Sequence, residues 1–508
     1  MTDPRFTWIK YFSSDQTKII VVLPKGAKGP GLNTLKELWK DDLLPIIVQN
    51  GKCYSPFTPL PNSTIKNRNG EIEVIIYLIQ NREPSKTINK KLILERQFPV
   101  VEYSIFPGLK NPRWFIPVWQ SLSFGKMPRM IQPSSFIART AVTMFRLLRF
   151  VKQTHFIFPC RLIVTHKMKN SVHHENYRSI INIFQENELR IKSGLVYTGS
   201  YGPLQKFTIE LLQDKNNPFA YAKFGQNKYT SRAIKNEKIA LKHLSVFQFD
   251  KIKVPELLEL SNLPEEFSSQ LLIVKTLQGG GPLKHTTKAL NQGLLELYNA
   301  TKKINSITVS SYIEKQIEIL RKQNSHLDKK YEKMRYDLMS IMKNISTNIN
   351  DSILLPLALS HGDFTRWNVR GDKERIYVID WEEARMRPLG HDLLSFLLAE
   401  YLLVHQIAPE KAVPRIVEEI INGMFDKFLN KIRSSDSSLD INSILNGILF
   451  FIEIFNSTLW HARMHTQHQY PQKQSLGHFL ETAWQGCTQL IKLYPHKTKN
   501  RFKDVPKI

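Results

Sequence analysis

His361–Asn368 reads HGDFTRWN, and Tyr377–Ala384 follows it as YVIDWEEA. Asp363 and Asn368 sit five positions apart on a loop expected after the apolar run Ile353–Leu359, so their oxygens can point into one cleft. The run IYVID reads as a short strand ending in Asp380. Two such carboxylates and an amide oxygen make a hard-oxygen site suited to Mg²⁺ with bound phosphates. A carboxylate left off the metal can orient and deprotonate an attacking hydroxyl. The plainer alternative has Asp363 capping a turn, Asn368 starting a strand and Asp380 ending one.

An Asp that handles the nucleophile, with an Asn and a downstream Asp on the metal, is the logic of phosphoryl transfer in the protein-kinase fold. Here the loop begins His-Gly-Asp rather than His-Arg-Asp, and Asp380 is followed by Trp-Glu rather than Phe-Gly. In these choices the chain resembles the aminoglycoside phosphotransferase and choline kinase superfamily. The resemblance implies ATP and Mg²⁺ as cofactors, Asp363 as catalytic base, Asn368 and Asp380 as metal ligands, and His361 as a brace for the loop. It also implies that Asp392, in GHDLLSF, ties its helix to the catalytic loop. Arg366 stands where many relatives carry Pro and is expected to add a positive charge near the acceptor, favouring an anionic one. The helical region after the metal loop has no Ala-Pro-Glu segment of the protein-kinase kind.

The upstream region is expected to supply the phosphate-handling half. Tyr197–Pro203, YTGSYGP, lies between two expected strands, where Gly199 and Gly202 would let backbone N–H groups approach a phosphate. A plain hairpin turn explains the same residues equally well. Ala220–Gly225, AYAKFG, places Lys223 inside a strand, where the resemblance implies a grip on the α- and β-phosphates. Glu237, on a helix expected over Ser231–Leu244, is the candidate ion-pair partner that orients Lys223, with Glu210 second. Leu271–Gly281, LLIVKTLQGGG, has the character of the segment joining two lobes.

The expected fold class is therefore α+β: a bilobal protein-kinase-like fold, with a β-rich N-lobe and a helical C-lobe, preceded by a small α/β domain. Its parts are residues 1–150 as the N-terminal domain, 151–188 as a connecting segment, 189–283 as the N-lobe and 284–508 as the C-lobe. Within the first part, Ile19–Leu23 and Val74–Leu78 read as strands and Leu35–Leu44 as a helix. The five prolines between Phe106 and Pro133 suggest an irregular stretch. Leu189–Tyr197, Phe207–Leu212, Ala220–Phe224, Val254–Leu260 and Leu271–Leu277 read as further strands. Apolar positions from Ile313 to Ile345 recur in steps of three and four, with one step of seven between 320 and 327, and predict one long amphipathic helix.

Composition limits the partners. The 508 residues carry a formal net charge of +26. Residues 1–150 hold 22 Lys and Arg against 10 Asp and Glu, so the surplus is spread along the chain. Such a surface attracts anions in general, including an acidic membrane face or glycan, but no nucleic-acid-binding motif accompanies it. No specific nucleic-acid partner is expected, and the partner implied is a small-molecule hydroxyl substrate. Relatives with a similar HGDFT-x-WN loop imply a sugar or envelope saccharide precursor as one acceptor class. The alternative is a kinase-like nucleotide-binding module whose N-terminal domain engages an anionic polymer or membrane. Three isolated cysteines and the lack of a secretory signal fit a reducing, cytoplasmic location, and no stretch is expected to span a membrane. Lys25–Thr34, KGAKGPGLNT, reads as an ordinary connection, since it matches neither common phosphate-loop spacing. His461, His465 and His468 share a helical face that reads as polar rather than metal-binding.

Overall fold

The computed structural model describes seven strand segments between Ile19 and His166, by backbone alone, and then residues 193–197, 204–214, 217–225, 227–260, 270–283, 288–303, 307–323, 329–349, 353–435, 442–467 and 474–497. By its internal contacts the chain divides into two compact units, residues 1–234 with 257–276, and residues 235–256 with 277–508. Sheet and helix are both extensive, as the α+β class requires.

The first unit is built on one eleven-stranded sheet. Its strands are β1 (Ile19–Pro24), β2 (Leu43–Gln49), β3 (Lys52–Tyr54), β4 (Val74–Gln80), β5 (Val100–Phe106), β6 (Trp114–Pro117), β7 (Cys160–His166), β8 (Ser193–Tyr197), β9 (Phe207–Asp214), β10 (Asn217–Phe224) and β12 (Leu271–Lys275). Across the sheet they run β12-β10-β9-β8-β6-β5-β7-β4-β1-β2-β3. β1 is parallel to both β2 and β4, while β6 pairs antiparallel with β8. The strands before residue 170 and those after 190 thus share one hydrogen-bonded sheet. The expected boundaries at 150 and 188 lie outside the described residues, but β7 falls within the expected connecting segment.

Some expectations need correcting. The Pro-rich stretch contains β6, with Pro117 at its end, where a missing N–H costs little. Leu43 and Leu44, expected to close a helix, open β2, and the rest of that helix lies outside the described residues, as does the Lys25–Thr34 loop. Val254–Leu260 is not a strand. The two-residue β11 (Ile252–Lys253) precedes it and an isolated bridge joins Leu257 to Val274.

The second unit is mainly helical around two small sheets. One has the order β11-β16-β15-β13, from β13 (Gly281–Pro282), β15 (Val369–Gly371) and β16 (Ile376–Val378). The other pairs β14 (Leu357–Ser360) with β17 (Arg385–Pro388) antiparallel. The long helix expected from 313 to 345 is two helices, Val309–Lys322 and Lys329–Asn348. The first helix ends within the seven-residue gap of the apolar pattern, with Gln323 as its C-cap.

Among the described residues, one helix, Ser443–Gln467, passes the length and hydropathy test for a membrane span. It runs for 25 residues and contains a stretch of mean hydropathy 1.3, yet 83% of that stretch is buried inside the protein. It is a core helix. His465 on it is buried rather than part of a polar face, His461 is half-buried, and His468 lies outside the described residues.

Candidate active site

Strand β14 delivers the chain to HGD, and β15 and β16 form the antiparallel hairpin that carries Asn368 and Asp380 at its open end. Val369 faces Val378 in that register, and the Ile379 N–H donates to the Asn368 carbonyl at 3.0 Å. Asn368 and Asp380 are therefore brought side by side by strand pairing, across eleven intervening residues of sequence. Between them and β14 the loop folds tightly, with the Thr365 N–H donating to the Asp363 carbonyl and the Asn368 N–H to the Thr365 carbonyl, each at 3.0 Å.

The side chains of Asp363 and Asn368 are hydrogen-bonded to each other, and the charge of Asp380 reaches Asp363. Asn368 Nδ2 donates to the Asp363 carbonyl at 2.9 Å and to Asp363 Oδ2 at 2.8 Å. This fixes the amide so that its oxygen is turned to the other side, where a cation can take it. Asp363 remains open to solvent, yet enough protein surrounds it for desolvation to raise its pKa. The charges of Asp380 and Glu383 raise it further, while His361 and the Asn368 amide oppose them. Glu383 lies three residues after Asp380 on the turn that follows it.

His361 is fully buried and braces the loop as expected. Its Nδ1 accepts from the Asp363 N–H at 3.3 Å and its Nε2 donates to the Ile379 carbonyl at 2.8 Å. One imidazole therefore joins the residue that would act as base to the residue before Asp380. Its ring packs edge-on against Trp381, with centroids 4.9 Å apart. Asp380 itself has φ 71° and ψ 58°, left-handed geometry that is uncommon for a residue bearing a Cβ.

Asp392, at the start of helix His391–Ala399, ties that helix to the loop. Its carboxylate accepts from Ser360 Oγ at 2.6 Å, the His361 N–H at 2.8 Å and the Gly362 N–H at 3.1 Å. Burial pushes its pKa up, but the hydrogen bonds and charges around it win and hold it down at about 2. Gly362 takes φ +91°, and a Cβ there would lie 2.5 Å from the Arg387 guanidinium and 2.6 Å from the Glu383 carbonyl. Only glycine fits.

Arg366 differs from expectation. Both its Nε and its Nη2 donate to Glu400, the first at 2.7 Å, so its charge is met by a carboxylate that is itself mostly buried. Glu400 opens a short π-helical turn, Glu400–Val404. A guanidinium engaged in this way is not a bare charge for an anionic acceptor.

The other named residues lie on their predicted elements. Lys223 sits on β10 opposite Thr208 on one side and Leu272 on the other, and is 9% exposed. Glu237, on helix Lys228–Leu244, is fully buried. Glu210, the second candidate, accepts a hydrogen bond from the Tyr221 hydroxyl at 3.1 Å. Gly199 and Gly202 lie outside the described residues.

Sequence reading missed three residues around the site. Asn236 Nδ2 donates to the carbonyls of Glu382 and Ala384 at 2.6 and 3.0 Å. Arg387 Nη1 donates to the carbonyl of Glu383 at 3.0 Å, and its Nε to Glu453 at 2.9 Å. Glu453 carried a legible signal, as the one acid in the apolar run ILFFIEIF. A buried carboxylate needs a partner.

Among the described residues, no three His, Cys, Asp or Glu side chains gather as a metal cage. Asn368 and Asp380 are the residues there that could hold a divalent ion, one that would complete its shell with water and phosphate oxygens.

Residues 211–422 match the model described as the phosphotransferase enzyme family. No curated protein matches the chain. Among solved structures, a choline kinase from Streptococcus pneumoniae is 15% identical, covers 61% of this chain and 98% of its own, and has a TM-score of 0.39. A putative aminoglycoside phosphotransferase from Ralstonia eutropha is 12% identical, with 60% and 97% covered and a TM-score of 0.40. A choline kinase from Cryptosporidium parvum is 15% identical, with 63% and 96% covered and a TM-score of 0.39.

Proposed function

With residues 211–422 matching the phosphotransferase enzyme family, we propose that the chain moves the γ-phosphoryl group of ATP to a hydroxyl of a small molecule, within a bilobal kinase-like arrangement. The observation that carries this reading is the Asn368 amide held 2.8 Å from Asp363 Oδ2, with the charges of Asp380 and Glu383 raising the pKa of the same carboxylate.

Asp363 is the general base. Its raised proton affinity makes it a better acceptor for the hydroxyl proton, and the Asn368 amide orients the carboxylate toward that task. Asn368 and Asp380 would hold Mg²⁺, which neutralises charge between the β- and γ-phosphates when bound. His361 keeps the base and the metal residue in register, since it touches the backbone of both segments. By the same reading Lys223 is assigned to the α- and β-phosphates, and Glu237, Gly199 and Gly202 to nucleotide binding. A sugar or envelope saccharide precursor is the favoured acceptor. The pairing of Arg366 with Glu400 removes the argument for an anionic acceptor from that residue. A cytoplasmic location, where ATP is plentiful, goes with this reading.

The test is label transfer from [γ-³²P]ATP with Mg²⁺ to a panel of sugars, amino alcohols and glycan precursors. The wild-type protein should label at least one hydroxyl compound, and Asp363→Ala should lose transfer while still binding nucleotide. Nucleotide binding without transfer by either protein would favour a binding module instead.

A further inference from the structure

The turn after Asp380 is held in an unusual way. Its three successive carbonyls, of Glu382, Glu383 and Ala384, accept hydrogen bonds from side chains rather than from backbone: Asn236, Arg387 and Asn236 again. Asp380 enters this turn in a left-handed conformation that costs on the order of 1–3 kcal/mol unless its surroundings enforce it. Arg387 also lies against Gly362 of the catalytic loop, so one guanidinium contacts both halves of the site. Its Nη1 comes within 3.5 Å of the Ser360 carbonyl as well, a long contact.

What holds Arg387 comes from farther along the chain. Glu453 is 2% exposed, in the middle of core helix Ser443–Gln467 and beyond the segment that matches the family. Three groups converge on its Oε2: Arg387 Nε at 2.9 Å, Arg385 Nη2 at 3.3 Å and His391 Nε2 at 3.4 Å. Burial pushes the Arg387 pKa down to about 9 and the Glu453 pKa up. The two groups meet within the core, so each gives the other a hydrogen-bonding partner where water is excluded. His391 is held to about 4 by burial, so at neutral pH its imidazole is uncharged. The hydroxyls of Ser360 and Ser395 each lie 3.3 Å from its Nδ1.

Resting on the phosphoryl-transfer reading above, we propose that Glu453 and Arg387 are positioning residues, a buried pair that fixes the turn after Asp380 and its packing on Gly362 in the geometry the reaction uses. Glu453 touches no reacting group. It fixes the guanidinium, and the guanidinium fixes two backbones. Lysine cannot replace Arg387 in this arrangement, because a single ammonium cannot reach Glu453 and the Glu383 carbonyl from opposite ends of a planar fork.

The experiment compares full-length wild type with Glu453→Gln, Glu453→Asp and Arg387→Lys. Mn²⁺ binding is followed by electron paramagnetic resonance with a non-hydrolysable ATP analogue, and hydrogen exchange is followed in peptides spanning 361–368 and 379–385. Thermal melts monitor folding. Glu453→Gln and Arg387→Lys should weaken Mn²⁺ binding roughly 10- to 100-fold, the range for residues that orient metal ligands. Exchange in both peptides should rise, kcat should fall without a change in acceptor KM, and Glu453→Asp should recover part of each effect. Unchanged Mn²⁺ affinity and exchange in folded variants would overturn the proposal. So would a lower melting temperature with both loops still protected, which is what a purely structural pair gives. Should the wild type transfer no phosphoryl group, the functional reading fails by itself. Exchange at 361–368 and 379–385 then still decides whether the pair fixes these loops.

Discussion

Asp392 and Glu453 are both buried carboxylates under the same site, and they hold it by different means. Asp392 stands at a helix start, within reach of backbone N–H groups, and takes two of them directly together with the Ser360 hydroxyl. Glu453 stands mid-helix, where every backbone N–H is already used by the helix, so it can act only through other side chains. The electrostatics follow. Asp392 is held down at about 2 by its donors, whereas burial pushes Glu453 up. A carboxylate at a helix start can grip a loop unaided, while one inside a helix needs an arginine as intermediary.

The largest expected effect separates the site from both supports. Asp363→Ala should lower kcat by roughly 10²- to 10⁴-fold, the usual worth of a general base, with an unchanged melting temperature. An equal fall in a melt would place Asp363 among the supports instead. Next comes Asp392→Asn, which removes the charged acceptor of three donors. Losing hydrogen bonds to a buried charge should cost about 2–3 kcal/mol in denaturant unfolding and reduce turnover as well.

Gly362 is where the two supports meet, since Asp392 takes its N–H and Arg387 occupies the place of its missing side chain. Gly362→Ala combines a disfavoured φ with overpacking, so it should destabilise by about 1–3 kcal/mol. A neutral result would show that the guanidinium is free to move and would weaken the case for a rigid pair.

Acid titration sharpens the contrast. The folded pKa of Asp392, about 2, lies below its ordinary 3.8, so its contribution is full above pH 4 and is lost as pH falls toward 2. That shift corresponds to about 2 kcal/mol. Asp392→Asn should flatten this limb of the stability curve. Glu453→Gln should leave it unchanged, because a raised carboxyl gains nothing from ionisation at those pH values. The smallest effect is expected at Arg366→Ala, which leaves Glu400 without its bidentate partner and should cost about 1 kcal/mol, with little change in transfer.

Much of the site was legible because its chemistry sits in short segments. Asp363, Asn368 and Asp380 are recognisable by type and spacing, and strand pairing then does what the sequence implied. Asp392 was legible only through the resemblance, which implies an acid there that ties its helix to the loop. Glu453 stands out as a lone acid in an apolar run, but its pairing with Arg387 was not legible, since they meet across 66 residues and nothing local links an acid in one helix to an arginine in a strand. Arg366 was misjudged because its partner Glu400 lies 34 residues on. The helix break near 323 shows a subtler limit: the step of seven was visible, but periodicity alone does not distinguish a gap in a helix from a gap between two. In the first unit, local pattern identified β1 and β4, yet the pairing of β6 with β8 depends on contacts far apart in sequence.

The decisive measurement is a crystal structure with Mg²⁺ and a non-hydrolysable ATP analogue. A divalent ion about 2.1 Å from both Asn368 Oδ1 and an Asp380 carboxylate oxygen, with Asp363 left off the metal, is the predicted result. An ion bound elsewhere, or one ligated by Asp363 in place of Asn368, would contradict the account.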